Sequence, residues 1–206
     1  MKEIIEKILQ MKYYKNHAAA SGKVHNVAKH EDAVEDIFRG FGLEEINRKV
    51  PIAERDEWLH TGAAPNVPDN SFISQPCGTH NSPDFIVKLD GKLYFIECKS
   101  AKEGTPMYNS GFVKKGYIYI LTSQKHDATT VYWGEDILTP EQTSLINETV
   151  QRWKKEAKEL NAAIPNPWGL GMYPREMAQH YGGKEKTDYF LNPHRTQLEQ
   201  RVLDGV

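Results

Sequence analysis

The chain has 206 residues, with 26 Lys or Arg against 28 Asp or Glu and a formal net charge of −2. One domain is the default at that length, 39% apolar residues suffices for a packed core, and near-neutrality tells against a purely electrostatic nucleic-acid binder. No apolar run approaches a membrane span, the first residues lack a signal-peptide core, and Cys77 and Cys98 make no disulfide framework, so a cytoplasmic protein with no membrane partner is expected.

In chain order, residues 2–12 alternate apolar and charged at helical spacing and predict a helix. Residues 1–30 hold six lysines against two glutamates, whereas 31–75 hold ten acids against four basic residues. A basic N-terminal arm on a near-neutral body suits phosphate contact by one face. Lys23, His25, Asn26 and Lys29 are its candidate contacts, although a solvated connection between helices would have the same composition. Val34, Ile37, Phe38 and Phe41 predict a helix over 30–41, ended by Gly40 or Gly42. Glu31 and Glu35 border its apolar stripe, one turn apart, where the helix dipole also favours acids. From Pro51 to Cys77, prolines, asparagines and glycines predict a long irregular stretch with Trp58, Phe72 and Ile73 as anchors, a place for a functional loop. Cys77 and His80 have a ligand-like gap, but two ligands without a second pair do not make a zinc site.

The most informative segment follows. Asp90-Gly91 lies between two β-rich runs, and a type I′ turn, which needs φ > 0 at both central residues, predicts a hairpin there. With that two-residue loop, paired position numbers sum to 181, and Asp84 falls opposite Glu97. Lys99 shares the face of Glu97, because side chains alternate with period two. Two carboxylates that close repel unless one is protonated or a cation lies between them. Mg²⁺ is the expected cation, since it is held by one or two carboxylates plus water and phosphate oxygens. Leu93 and Phe95 precede the charges on the same face, so these emerge at the end of an apolar strand rather than on a solvated one.

Residues 101–115 predict a loop directly after Lys99, with Lys102, Asn109, Ser110, Lys114 and Lys115 as polar donors. Residues 117–122 and 129–133 predict strands. Thr139-Pro140-Glu141-Gln142 starts a helix, with an N-cap threonine, proline at the first position and glutamine at the capping-box position. It is expected to run to about Asn161, with Leu145, Ile146, Val150, Trp153, Ala157 and Leu160 as an apolar side; packing is the favoured reading, and a dimer interface leaves the same pattern. Residues 172–206 predict two short helices and a polar segment at 182–186. The fold class expected is α/β, a central mixed sheet flanked by helices, with irregular loops and a C-terminal helical extension over 139–206 for recognition or dimerisation.

Pro83-Asp84, twelve residues, then Glu97-Cys98-Lys99 resembles the signature of the PD-(D/E)XK nuclease superfamily. The likeness spans about residues 30–135, the implied catalytic core, rests on few residues, and implies a restriction-endonuclease-like core. It implies Asp84 and Glu97 as metal-holding residues, the Cys98 carbonyl as a further ligand, and Lys99 as the group that positions the nucleophile. It also implies a helix acid, for which Glu31 is preferred and Glu35 second. The function implied is a Mg²⁺-dependent, sequence-specific double-stranded DNA endonuclease of type II restriction kind, homodimeric, leaving 5′-phosphate ends. The loop donors after Lys99 and the basic arm would then contact DNA. A structure-directed nuclease of junction or repair type, or a DNA-binding protein with a decayed site, are the alternatives.

Overall fold

The computed structural model describes residues 1–13, 30–108, 112–164, 166–174, 177–179 and 188–206. Its centre is a six-stranded mixed sheet in the order β1-β2-β3-β4-β6-β7, formed by Glu44–Glu45, Ser71–Ser74, Phe85–Leu89, Lys92–Ala101, Tyr117–Ser123 and Ala128–Trp133. Neighbours are antiparallel except β1 with β2 and β4 with β6. A second pair joins β5 (Met107–Tyr108) to β8 (Ala178–Gln179). The helices are α1 (Lys2–Leu9), α2 (His30–Gly40), α3 (Ile52–Thr61), α4 (Pro140–Ala163) and α5 (Arg195–Gly205). The fold is therefore α/β, as the sequence predicts. Among the described residues no helix is long and apolar enough to cross a membrane.

The hairpin forms as its turn chemistry dictates. Asp90 and Gly91 both take positive φ, 52° and 74°. The resulting register pairs Leu89 with Lys92 and Phe85 with Ile96. β6 returns parallel to β4, which requires a crossover; residues 102–116 supply it. On one face of the sheet, Ile96, Ile118, Ile120 and Val131 pack under Ile4, Ile5 and Ile8 of α1, Val34 and Phe38 of α2, and Val202 of α5. The other face is aromatic. Phe95, Tyr117, Tyr119 and Tyr132 lie there under Trp58 of α3, Tyr108 and Val113 of the crossover, and Tyr189 and Phe190.

Three sequence expectations change. The stretch from Pro51 to Cys77 is not irregular throughout: α3 and β2 lie within it. Pro51 sits at the N-cap of α3, and Gly62 closes the helix in the left-handed region at φ 69°. Its signal is faint because only Arg55 and Trp58 of its ten residues are buried. Second, the crossover is not all loop, since β4 extends to Ala101 and β5 forms at Met107. Third, α4 has both bonds of its capping box, Gln142 N–H to Thr139 Oγ1 (3.3 Å) and Thr139 N–H to Gln142 Oε1 (2.9 Å), but its apolar side is packed only in part. Val150 and Ala157 are buried, whereas Leu145, Trp153 and Leu160 are exposed.

Candidate active site

The site lies where β3 begins and β4 ends. Asp84 precedes β3 by one residue and is anchored through its backbone, its carbonyl accepting from Gln75 N–H (2.7 Å). One carboxylate oxygen accepts from Gln75 Nε2 (2.9 Å) and the other from Cys98 N–H (2.7 Å). Glu97, 3% exposed, accepts through Oε1 from Lys99 Nζ at 2.6 Å. Its second oxygen, Oε2, is buried with no hydrogen-bond partner among the described residues.

Burial, and then the nearby charge of Glu97, push the Asp84 carboxyl up to about 7, against the opposing pull of Cys98 N–H and Lys99. Near neutral pH this carboxyl is therefore poised between its two forms. Crowded carboxylates of this kind are relieved by a proton or by a cation.

These residues border a cleft of about 800 Å³, walled by α2, by the end of β2 at Ser74 and Gln75, and by residues 100–107. Glu31 faces the cleft, and its charge adds to the upward push on Asp84. Glu35 also borders it but is engaged: Oε2 pairs with Arg39 at 2.9 Å, and Oε1 accepts from Ser74 Oγ at 2.6 Å. The Cys98 side chain points to the aliphatic core, and burial pushes its thiol well above the usual range. Lys102 lies on the cleft wall. Lys115 is exposed, while Lys114 is half-buried and donates from Nζ to Ser82 Oγ (2.5 Å). Burial, then the Arg55 guanidinium, hold the Lys114 ammonium below its ordinary value. Lys23, His25, Asn26, Lys29, Asn109 and Ser110 lie outside the described residues.

The structure thus brings Asp84, Glu97 and Lys99 together, with Glu31 at the rim. Among the described residues no three His, Cys, Asp or Glu side chains close around one point tightly enough to hold a metal ion between them. The pair nevertheless fits a hard divalent cation, which needs only one or two carboxylates. Glu97 Oε2 lacks a partner among the described residues, and burial and the neighbouring Glu97 charge raise Asp84 despite Lys99.

Sequence reading missed the residues that set this geometry. Gln75 holds Asp84 from the end of β2, and the buried guanidinium of Arg55 donates to Ser82 O (2.6 Å) while pairing with Asp56 (2.5 Å). Asp188 fixes the cleft wall: it lies directly behind Gly104 and accepts from His126 Nε2 (2.8 Å) and Lys125 Nζ (3.0 Å). None has a local signal, because the bond that shapes the cleft joins each to a residue at least nine positions away. Compared with protein-family models, curated proteins and solved structures, the chain matches none.

Proposed function

We propose that the protein is a Mg²⁺-dependent endonuclease that hydrolyses phosphodiesters of double-stranded DNA, of type II restriction kind, with Asp84, Glu97 and Lys99 as its centre. The observation that carries the reading is Glu97: a buried carboxylate with one oxygen on Lys99 and the other unpartnered, beside a second carboxyl raised to about 7. A purely structural ion pair would be expected to satisfy both Glu97 oxygens, because an unmet buried acceptor costs about 1–3 kcal/mol.

Asp84 and Glu97 are the residues that would hold the cation, with Glu31 and the Cys98 backbone beside them. Bound there, it would polarise a phosphodiester oxygen and make a bound water acidic enough to react near neutral pH. Lys99, kept in place by Glu97, orients the attacking water and offsets charge that develops on the phosphoryl oxygens. Asp84 must give up its proton before it can serve as a ligand, so its raised value sets a lower pH limit to activity. Of the two helix acids, Glu31 is the one available, since Glu35 is held by Arg39 and Ser74. Lys102 on the cleft wall supplies a cation for a backbone phosphate. Cutting both strands takes one centre per strand, which a two-fold dimer provides.

The test is incubation of the purified protein with a long duplex DNA in Mg²⁺ and in EDTA, with the products resolved on a gel. Discrete Mg²⁺-dependent fragments with 5′-phosphate ends are expected. A smear would replace the restriction reading with a non-specific or repair nuclease. Full cleavage in EDTA would remove the metal mechanism. In Ca²⁺, which demands longer and looser coordination, binding without efficient turnover is expected.

A further inference from the structure

Two cations converge on Ser82, a buried residue two positions before Asp84. Arg55 of α3, 6% exposed, donates from Nη1 to Ser82 O (2.6 Å), while its other nitrogens pair with Asp56. Lys114 of the crossover donates from Nζ to Ser82 Oγ (2.5 Å). Sequence spacing offers Lys114 as a DNA contact, but the structure turns its ammonium inward, 5.6 Å above the centre of the Tyr117 ring. The Lys114 backbone is fixed as well. Its N–H donates to Tyr119 Oη (2.9 Å), and Gly134 lies so close to its carbonyl that a Cβ there would not fit.

This placement is costly. A half-buried ammonium rests on a neutral hydroxyl, beside a second cation, and Glu97 acts on it only from a distance because its own ion pair is with Lys99. What the two cations hold is the approach to Asp84. Pro83 has no N–H, so backbone bonding cannot continue upstream from Asp84, and Ser82 is the first residue there that polar contacts can grip. Beyond Ser82, residues 79–81 are exposed and, among the described residues, bonded only within their own loop, through Asn81 N–H to Gly78 O and Asn81 Nδ2 to Cys77 O. Ser82 is therefore the point at which this loop is tied to the body of the protein.

We propose that Lys114, with Arg55 bracing the same residue, is a positioning residue for the divalent-cation site: by fixing Ser82 it keeps the Asp84 carboxyl beside Glu97. Partners of this kind, one step behind the groups that hold a metal, carry about 10–100-fold in metal affinity. This role rests on the reading of Asp84 and Glu97 as the cation-holding pair. The sign of the effect separates positioning from charge. If Lys114 acted through its charge alone, removing it would relieve repulsion, and Lys114→Met would bind Mg²⁺ more tightly. Positioning through Ser82 requires weaker binding.

The test is calorimetric titration of the purified protein with Mg²⁺ in the absence of DNA, which reads binding whether or not the protein cleaves. Lys114→Met keeps an apolar stem over Tyr117 but loses the donor, and should weaken Mg²⁺ binding about tenfold. Ser82→Ala removes Oγ alone and should weaken it to a similar extent; it is the milder variant should Lys114→Met disturb the fold. Both remove one and the same bond, so the double variant should bind no more weakly than either single one. Unchanged or tighter binding in Lys114→Met overturns the positioning role. Full affinity in Ser82→Ala, or losses that add in the double variant, overturns the route through Ser82. A wild type that binds no Mg²⁺ removes the cation-holding pair and the positioning role with it. If the wild type binds Mg²⁺, the variants bind it weakly and no duplex DNA is cut, only the nuclease reading falls.

Discussion

The two faces of the central sheet are built from different chemistry. Over β4, β6 and β7 one face is mainly aliphatic, with Phe72, Phe85 and Tyr94 alongside, and is roofed by α1, α2 and α5; the other carries Tyr117, Tyr119 and Tyr132 and is roofed by α3, the crossover and the segment around Tyr189. An aliphatic face can be covered only by another apolar surface, and amphipathic helices provide one. A face of tyrosines can also position its cover by polar contacts. Tyr119 Oη accepts from Lys114 N–H at 2.9 Å, and Tyr108 Oη and Tyr132 Oη are 2.9 Å apart. Charges survive at the end of the second face because it is already partly polar. Glu97 and Lys99 continue the row of Phe95, while Cys98 between them turns into the aliphatic core.

The largest expected effect concerns that row. Glu97→Gln keeps the shape but removes the charge, and should lower Mg²⁺-dependent cleavage by roughly 10³-fold or more, with far-UV circular dichroism unchanged. Cleavage at the wild-type rate would mean that the charged end of the phenolic face is structural. The reverse pattern should hold on the other face. Ile120→Ala should cost about 2–5 kcal/mol in denaturant unfolding while leaving cleavage intact at low temperature.

A third variant separates stability from function within the site. Asp84 is raised in the folded chain from the ordinary 3.8 to about 7, so the folded state binds its proton more tightly than the unfolded one. Stability is then fully present below pH ~4, falls as pH rises towards about 7, and is flat above it. Asp84→Asn removes that loss and should stabilise the protein at pH 8 by on the order of 2 kcal/mol, a gain that vanishes towards pH 4. Gln75 can accommodate the change, because its buried Oε1 has no partner and can accept from an Asn amide once the Gln amide turns over. On the proposed mechanism Mg²⁺ should raise the melting temperature of the wild type, and the same variant should lose both that rise and cleavage. An unchanged pH profile would sink the assignment of the raised carboxyl. The smallest effect is that of Tyr132→Phe, about 1 kcal/mol from the lost hydroxyl pair with Tyr108.

What the sequence makes legible is what local rules govern. Asp90-Gly91 specifies the turn, the turn specifies the register, and the register brings Glu97 beside Asp84 at the open end of the hairpin. Thr139 and Gln142 specify the start of α4 in the same way. The bounds of α2 follow from its apolar spacing and Gly42, whose φ is 81°. Illegible features depend on distant partners. α3 buries too little to show a helical stripe, and β2 has only four residues, so an alternation cannot declare itself. Whether Glu31 or Glu35 is available depends on Arg39 and Ser74, and the second of these is 39 positions from Glu35. The apolar side of α4 could be read from spacing, but not the fact that the rest of the described chain leaves much of it bare.

The parallel pairing of β4 with β6 has a consequence for how such a protein can diversify. A chain leaving β4 at Ala101 must travel back the length of the sheet to enter β6 at Tyr117, and its first residues pass along the mouth of the cleft. Insertions and deletions in a surface connection cost little, since loop-closure entropy grows only slowly with length. On the proposed nuclease reading, residues 102–107 at the cleft mouth are therefore where a change of sequence would alter the substrate, while the strands that carry Glu97 and Lys99 stay in register.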